Sequence, residues 1–409
     1  MTPEASAFAR ATELFNLPAR VYVFMQYTQI VIIQFFIGSI NMRNGAEAQI
    51  ALAWEEDNTM HSPSLINYVG WLGHQNLGDE ALYIAIQKTF RKYSFVPSLL
   101  NEYSNITFFG GGTIIPSFCK RIRPNKYNYV FGSGVRDPEF FGRFDSVIID
   151  RLKSFKFRLL GVRDNFSKSI LEEWEIDSEV IGDPCLSLEN KSHEKRDDLR
   201  IAINIGSDGR IWGQDEKYVL LEIIKVCRTL KKNGYKLILV PLNPEDIDYI
   251  NILSLQTGIE IFRNWSDIYS VLNLLSSCKL MIGERLHSLV FSASVYTPFI
   301  SLEYRPKCKH FSESVGFSKY GIRTDEISAN KIIEMSYDIM DNWNKMNRIL
   351  EREVKSYRKI QSKFANLLID DIEFLPNDKY SIPSITHRIK DKIFWKTEPF
   401  ITRASGLVF

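Results

Sequence analysis

The sequence predicts an α/β protein in which two doubly wound, Rossmann-like domains face each other across a cleft and a C-terminal helical extension follows them. Two observations lead to this prediction. Short apolar runs alternate with amphipathic segments of helical period, and a charged stretch divides the alternation into two parts. The length of 409 residues allows two domains and further segments. Hydrophobic and charged fractions of 45% and 24% are typical of a globular protein and exclude a disordered chain or a multi-span transporter.

The first domain is predicted over residues 63–190. Its strand-like runs end in or near glycine or aspartate and read LINYVGWLG, ITFFGGG, YNYVFGSGV, FRLLGVRD and SEVIGD. Segments with helical spacing, such as DEALYIAIQKTFRKY and NFSKSILEEW, lie between several of them. Strand–loop–helix alternation of this kind predicts βαβ units and a mostly parallel sheet.

The charged stretch from Asn190 to Arg200 reads as an interdomain linker, and the alternation restarts over residues 200–325. Its strand-like runs are IAINIG, KLILVPLN, KLMIGERLH and TPFISLEY, with EKYVLLEIIKVCRTLKKNG and WSDIYSVLNLLSSC as helices. Because ligands of doubly wound sheets bind beyond the carboxyl ends of the strands, the loops after these strands are the candidate site.

Three segments lie outside the two domains. Residues 1–62 contain the uncharged run Val21–Met42, which is long enough to cross a bilayer but carries three glutamines within one broad helical face. A spanning, peripheral or packed helix and a translation start at Met60 all stay open. Residues 326–374 predict a solvated, salt-bridged helix hairpin packed on the domains. Residues 375–409 form a basic and aromatic tail, either loosely ordered or in contact with a membrane.

Charge and cysteine content exclude several classes of protein. The net charge of +2, from 51 basic and 49 acidic residues, gives no overall field that would favour nucleic acid. The five cysteines are scattered without a CxxC pair, so we expect reduced thiols rather than disulfides or zinc. We expect a cytoplasmic protein without metal or cofactor, and association with the inner face of the membrane stays open.

Glycine-rich loops in the first domain are candidates for ligand contact. In the loop that contains Asn76, Gly78 permits a tight turn and Asp79 is expected to cap the following helix, whose first N–H groups attract anions. An ordinary βα turn is the alternative. After the next two strand-like runs, Gly111 and Gly112 allow close approach of a ligand, and so do the glycines that flank Ser133. These two loops are candidate site loops, together with the loop that contains Asn76. The spacing matches neither a P-loop nor a dinucleotide fingerprint.

Cations follow the strands of both domains. Arg163 ends a strand of the first domain and is suited to grip a carboxylate or phosphate, or else to pair structurally with Asp164. The turn at Gly182–Pro184 is explained by its approach to the linker.

The second domain contributes GERLHS, with Glu284, Arg285 and His287 at a helix start, where the dipole favours anions and lowers the proton affinity of histidine. Arg305 and Lys307 follow the next strand. Together with Arg163, these cations favour a small polyanion as the substrate, with His287 as a proton donor or acceptor. The sequence offers neither a Ser or Cys nucleophile constellation nor a metal-ligand cluster of suitable spacing.

The motifs, taken in order, resemble those of the polysaccharide pyruvyltransferases over roughly Leu65 to Phe317. The matching segments are NLGDEAL (Asn76–Leu82), FGGGT (Phe109–Thr113), GSGV (Gly132–Val135), VRDxxS (Val162–Ser167), IGDP (Ile181–Pro184), GERLHSLVFSA (Gly283–Ala293) and PFISLEY…K (Pro298–Lys307).

This resemblance implies a GT-B-like fold and transfer of a pyruvyl group from phosphoenolpyruvate to a sugar of a cell-surface or exported polysaccharide, which forms a cyclic ketal. By the same resemblance, His287 is the general acid, Arg163 and Lys307 hold the donor, and Arg285 is a companion. Phosphoenolpyruvate is then a substrate rather than a cofactor, and the other partner is a glycan acceptor, with a lipid-linked one left open. A nucleotide-sugar glycosyltransferase of GT-B fold and a non-catalytic glycan-binding protein are the alternatives.

Overall fold

The computed structural model describes residues 65–97, 104–120, 122–190, 196–206, 209 and 211–376. The predictions for Val21–Met42 and Met60, and nearly all of the basic and aromatic tail, fall outside these residues. In the part of the chain that is described, no helix combines the length and the apolar character that a membrane span requires.

The first half of the described chain forms a six-stranded sheet in which every pairing is parallel. Its strands are β1 (Leu65–Val69), β2 (Ser94–Pro97), β3 (Ile106–Phe109), β4 (Tyr127–Ser133), β5 (Leu159–Val162) and β6 (Glu179–Val180), in the order β2-β1-β3-β4-β5-β6. The helices between them are α1 (Leu77–Thr89), α2 (Pro138–Phe141), α3 (Ser146–Lys153) and α4 (Asn165–Glu173).

The second half repeats this plan with another parallel, six-stranded sheet. Its strands are β7 (Arg200–Asn204), β8 (Lys236–Leu239), β9 (Glu260–Ile261), β10 (Leu280–Gly283), β11 (Phe299–Glu303) and β12 (Gly321–Arg323), in the order β12-β11-β10-β7-β8-β9. The helices are α5 (Glu216–Lys232), α6 (Ile247–Thr257), α7 (Ile268–Ser276), α8 (Leu286–Ser294), α9 (Pro306–Ser314) and α10 (Ala329–Asp341).

The predicted fold class, two doubly wound α/β domains with a C-terminal helical region, is confirmed. Central strands such as β3 and β10 are buried along their whole length, which explains why they read as continuous apolar runs rather than alternating ones. The strand order reverses beside β1 in the first sheet and beside β7 in the second. The loops at the carboxyl ends of the strands on both sides of each reversal meet at the cleft.

The last helix, α11 (Trp343–Glu373), packs on the domains, as predicted for the C-terminal helical extension. Its first half packs Leu350 and Val354 into the core of the second domain, whereas its second half packs Phe364 and Leu368 against the first domain. The 31-residue helix therefore belongs to both cores. Its apolar stripe has helical period, but the sequence alone did not reveal that two different domains cover it.

Arg358, in the middle of α11, ties the two domains together. Its guanidinium donates hydrogen bonds to the carbonyl oxygens of Leu186, at 2.8 Å, and of Ser294, at 2.8 Å, and to the hydroxyl of Tyr296, at 2.8 Å. Leu186 follows the first sheet, while the other two acceptors end α8 or follow it. A separate link joins the domains at the backbone, where the Leu77 N–H donates to the Leu242 carbonyl at 2.9 Å.

Candidate functional site

A cavity of about 210 Å³ lies between the two domains, at the carboxyl ends of both sheets. Loops from both domains form its wall, and the charged residues among them are mainly cations. The lining residues are Trp71, Asn76, Asp79, Gly112, Thr113, Ile114, Ser117, Phe118, Val135, Arg136, Asp137, Phe141, Arg163, Leu286, His287, Arg305, Pro306, Lys307 and His310.

His287 stands in the first turn of α8, directly after the buried strand β10. Its side chain is only 12% exposed, and its Nε2 lies 3.8 Å from Oδ2 of Asp183 in the first domain. Burial, together with the charges of Arg163 and Lys307, lowers the pKa of His287 to about 3. The imidazole is therefore neutral at physiological pH as long as the cavity holds no anion.

Arg163 lies deep in the wall, 3% exposed, at the end of β5. Its Nε donates to Asp164 Oδ2 at 3.3 Å, so the predicted Arg–Asp pairing is present. Its Nη1 is buried and finds no hydrogen-bond partner among the described residues. A β-carbon on Gly134 would come within 2.6 Å of Nη2, so the glycine makes room for the guanidinium. A buried cation with an unmatched donor beside a cavity is suited to an anionic ligand.

Three further cations line the cavity, and each contacts an aromatic side chain. They are Arg136, Arg305 and Lys307. Lys307 Nζ lies 5.0 Å from the ring centroid of Tyr304, and the Arg305 guanidinium lies 5.3 Å from the same centroid. Phe141 stands between guanidinium groups of the two domains, 4.5 Å from that of Arg136 and 5.4 Å from that of Arg305. Cation–π contacts of this kind hold the charged groups in place at the cavity wall.

The first turn of α1 corrects one prediction. The side chain that caps the helix is Asn76, whose Oδ1 accepts a hydrogen bond from the Gly78 N–H at 3.1 Å, and not that of Asp79. Asp79 lies inside the first turn and lines the cavity. Burial raises its pKa to about 7, against the opposing effect of the Lys307 charge. A carboxyl group of this kind exchanges its proton near neutral pH.

Two residues of the second domain lie elsewhere than predicted. Arg285 does not line the cavity; its Nη2 lies 2.7 Å from Oδ1 of Asp246, a carboxylate with no solvent exposure. Glu284 is buried and accepts a hydrogen bond from the Gly206 N–H at 2.8 Å, and burial raises its pKa to about 8. Both residues therefore shape the loop that presents His287, because they hold the loop after β10 against neighbouring loops.

Two residues of the first domain are structural in the same sense. The Ser133 hydroxyl donates to the Gly111 carbonyl at 3.0 Å, and Ser133 is completely buried. The link fixes the loop after β3 to the end of β4. Gly112, the next residue, lines the cavity, as predicted for a glycine that allows close approach.

Sequence reasoning misses Trp71 and His310, which line the cavity, and explains Asp183, whose Oδ2 lies 3.8 Å from His287 Nε2, as part of a turn. His310 stacks on Phe166 of the other domain with ring centroids 4.0 Å apart. Arg136 has a signal in the sequence, because it is a cation that follows the glycine-rich loop Gly132–Gly134. The other contacts join loops far apart in the chain and have no such signal.

One group of potential metal ligands, Asp183, Cys185 and His287, lies within 4.8 Å in the part of the chain that the structure describes. Burial raises the pKa values of Asp183 and of the Cys185 thiol, the latter well above its usual range. All five cysteines are buried and unpaired.

Comparison with known proteins places this site in a family. The family model "Polysaccharide pyruvyl transferase" matches residues 76–306, more than half of the chain, which includes His287 and Arg163. The amylovoran biosynthesis protein AmsJ of Erwinia amylovora is 27% identical over 92 residues, which are 22% of this chain and 22% of AmsJ.

Solved structures with a similar arrangement include a Listeria monocytogenes protein described as a UDP-N-acetylglucosamine 2-epimerase. It is 10% identical with a TM-score of 0.49, and the match covers 78% of this chain and 100% of that one. A Thermobaculum terrenum O-GlcNAc transferase variant is 11% identical with a TM-score of 0.41, over 77% of this chain and 68% of that one. Both scores are below 0.5, so the fold assignment rests on the two parallel sheets themselves. By the extent of the family match, this chain belongs to the polysaccharide pyruvyl transferase family.

Proposed function

We propose that this protein transfers the pyruvyl group of phosphoenolpyruvate to two hydroxyl groups of a sugar in a cell-surface or exported polysaccharide, with His287 as the general acid. The observation that carries the proposal is the cavity between the domains, in which a buried histidine lies within the field of Arg163 and Lys307. Membership of the family supports the same reaction.

The donor binds through its two anionic groups. Phosphoenolpyruvate carries a phosphate and a carboxylate, and the cavity offers Arg163, Lys307 and Arg305. The planar fork of Arg163, with Nη1 unmatched, suits bidentate contact with one anionic group, while Lys307 supplies a point charge for the other. Desolvation in the cavity strengthens both interactions.

Donor binding and protonation of His287 are coupled. Two cations and burial keep the imidazole neutral in the empty cavity. A bound donor neutralises Arg163 and Lys307, so it raises the pKa of His287 and allows the ring to take up a proton. The acid is thus charged only when the enol ether that it protonates is present.

The reaction then balances as follows. His287 donates a proton to the methylene carbon of the donor, and C2 becomes oxocarbenium-like. One sugar hydroxyl attacks C2 and the bond to phosphate breaks; the second hydroxyl attacks C2 and closes the ketal. Of the two hydroxyl protons, one restores His287 and the other leaves with phosphate. The cations stabilise the departing phosphate because they are already positioned for its charge.

Asp79 is the group suited to accept one hydroxyl proton first and to pass it on to the departing phosphate. It lines the same cavity on the side of the first domain, and its pKa of about 7 allows it to exchange a proton near neutral pH. Opposite roles for a histidine and a carboxyl group follow from their different surroundings.

The acceptor sugar is proposed to lie along the wall of the first domain. Trp71 lines the cavity there, and its ring stacks on His74 with centroids 3.9 Å apart and an angle of 9° between the planes. A rigid aromatic ring with neighbouring hydroxyl groups, such as that of Ser117, suits the mixed apolar and polar surface of a pyranose. The acceptor sugar itself, and a lipid anchor on it, are for experiment to identify. Because phosphoenolpyruvate is a cytoplasmic metabolite, we propose that the reaction takes place in the cytoplasm. Cell fractionation tests whether the protein contacts the inner face of the membrane.

Release of phosphate tests the proposal. The purified protein is incubated with phosphoenolpyruvate and a panel of hexosides, and we expect acceptor-dependent phosphate release and a product heavier by one pyruvyl ketal in mass spectrometry. His287→Gln, of similar size, should reduce the rate by about 10² to 10⁴. Turnover of nucleotide sugars without use of phosphoenolpyruvate would instead identify a glycosyltransferase, and binding of glycans without either reaction would identify a binding protein.

A further inference from the structure

Two buried polar atoms from different domains, one of them on a side chain that lines the cavity, face each other without hydrogen bonds. They are Oδ2 of Asp183 and Nε2 of His287, 3.8 Å apart, and neither finds a hydrogen-bond partner within the described residues. The Asp183 side chain has no solvent exposure and that of His287 has 12%. Buried polar atoms are almost always paired, so two that face each other require an explanation.

The position of Asp183 is fixed from three sides. Its Oδ1 accepts a hydrogen bond from the Cys185 N–H at 2.9 Å, and its carbonyl oxygen accepts one from Gln361 Nε2 at 2.8 Å. Tyr357 packs against Gly182, where a β-carbon would come within 2.6 Å of its ring. Since Gln361 and Tyr357 both belong to α11, that helix orients the carboxylate, and only Oδ2 remains for another partner.

We propose that Asp183 is a positioning residue that accepts a hydrogen bond from Nε2–H of the protonated His287 and so assigns proton delivery to Nδ1. This role rests on the function proposed above. The present separation of 3.8 Å is too long for a hydrogen bond, as is common in catalytic pairs before the substrate binds, and a movement of less than 1 Å closes it. The Nε2 edge of the ring then binds Asp183 and is not available to the substrate.

The charged groups around the pair decide its protonation. Arg163 and Lys307 act on His287 and oppose its charged form. Burial raises the pKa of Asp183, and the charge of Asp164 acts in the same direction. The charge of Arg163 and hydrogen bonds from Cys185 act to lower it. A bound donor offsets the two cations, and Asp183, whose Oδ2 lies 3.8 Å from Nε2, is then the acidic group beside the imidazole that can share its proton. Asp183 thus stabilises the acid form in the state that reacts.

The test compares Asp183→Asn with the wild type. The amide keeps the shape and removes the charge, and we expect kcat to fall by about 10²-fold, the lower end of what a positioned proton donor contributes. In the complex with phosphoenolpyruvate, the pKa of His287 read from imidazole ¹⁵N shifts should fall by about 1 unit, because an opposite charge has been removed. The His287 signal is identified by its loss in His287→Gln.

Gln87→Ala, on the exposed face of α1, is the matched control, and we expect wild-type kcat and wild-type imidazole shifts. Cys185→Ala keeps the backbone N–H that binds Asp183 and removes the thiol, and we expect its kcat to fall by less than that of Asp183→Asn. In a further test, the wild type and Cys185→Ala are both treated with a chelator and then with Zn²⁺. If chelation abolishes activity, and Zn²⁺ restores it in the wild type but not in Cys185→Ala, the proposal is overturned in favour of a metal site.

Two further outcomes separate this inference from the proposed function. An active wild type with an Asp183→Asn variant of equal kcat and equal His287 pKa overturns the role of Asp183 alone. A wild type that releases no phosphate from phosphoenolpyruvate with any acceptor contradicts the function itself. Circular dichroism and thermal unfolding of Asp183→Asn distinguish loss of the fold from loss of the pair, and Asp183→Ser serves as a smaller second variant if the amide unfolds the chain.

Discussion

Gly78 of the first domain lies directly against the imidazole of His287 in the second. A β-carbon built on Gly78 would come within 2.0 Å of Nδ1, so no other residue fits there while the ring keeps its position. Gly78 belongs to α1, where glycine is an unfavourable helix former. The glycine therefore serves the contact between the domains at the site and not the stability of its helix.

Replacement of Gly78 by alanine should lower both activity and stability. The methyl group forces the His287 ring out of its place, so we expect pyruvyl transfer to fall by about 10²-fold or more. Overpacking of this buried contact should lower the free energy of unfolding by about 1–3 kcal/mol, which exceeds the gain in helix propensity at the second residue of α1. Initial rates and urea unfolding measure the two effects. Gln87→Ala, on the exposed face of the same helix, should leave the rate unchanged, and a fully active Gly78→Ala would contradict the close contact.

Binding of phosphoenolpyruvate should draw a proton onto the protein. With a pKa of about 3, His287 is neutral at pH 7 before the donor binds, and neutralisation of Arg163 and Lys307 raises its pKa. We expect a net uptake of protons on donor binding at pH 7. Calorimetry in two buffers of different ionisation enthalpy measures it. The His287→Gln variant should bind the donor without the part of the proton uptake that belongs to His287. An equal uptake in both proteins would exclude His287 as the acceptor of that proton.

The dependence of the rate on pH should report Asp79. Its pKa is raised to about 7, so the carboxyl group is protonated below that pH and cannot accept the hydroxyl proton. The value of kcat/KM should therefore rise with pH through about 7 and level off above it. Asp79→Asn should lower kcat/KM by about 10² and remove this limb. A limb that persists in the variant would assign it to another group.

Folding stability should also depend on pH through Glu284. Its pKa in the folded protein, about 8, lies above its usual value of 4.5, so the folded state binds the proton more tightly. This contribution is complete below about pH 4.5 and is lost as the pH rises through about 8. Glu284→Gln keeps an acceptor for the Gly206 N–H. We expect the variant to unfold several degrees above the wild type at pH 9 and at nearly the same temperature at pH 5, in calorimetric scans. A constant difference across this range would contradict a buried neutral Glu284.

The fold could be predicted because its signal is local. Runs such as ITFF and KLMI are apolar throughout, since both faces of these strands are covered, and the segments after them have helical spacing. The short elements β2, β9 and α2 have too few residues to show a period, so no sequence pattern predicts them. The path of α11 depends on two cores at once, which no single period encodes.

The site was harder to predict because its contacts join distant loops. Arg285 and His287 look equivalent in the sequence, two positions apart at a helix start. The structure separates them because Asp246, 39 residues away, holds the guanidinium. Asp183 and His287 are in different domains, and Asp183 looks like any aspartate before a proline. Residue type and strand end can indicate a cleft, but the partner of each charge depends on how the domains pack.

Arg358 should be the most important residue for the union of the two domains. Its side chain is 19% exposed and binds carbonyl groups that belong to both, at Leu186 and Ser294. Because removal leaves these buried acceptors unmatched, we expect Arg358→Ala to lower the free energy of unfolding by about 2–4 kcal/mol, measured by urea titration. Lysine cannot form the same fork, so Arg358→Lys should recover less than half of this loss.

The matched control for Arg358 is Arg352, in the same helix. Its side chain is 75% exposed and pairs with the adjacent Glu353, and exposed pairs contribute little to stability. Arg352→Ala should change the free energy of unfolding by less than about 0.5 kcal/mol. Because α11 also holds Asp183 through Gln361, Arg358→Ala should lower the rate of transfer at temperatures where the protein is still folded. Equal effects of the two substitutions would show that α11 packs on the domains without a specific clasp.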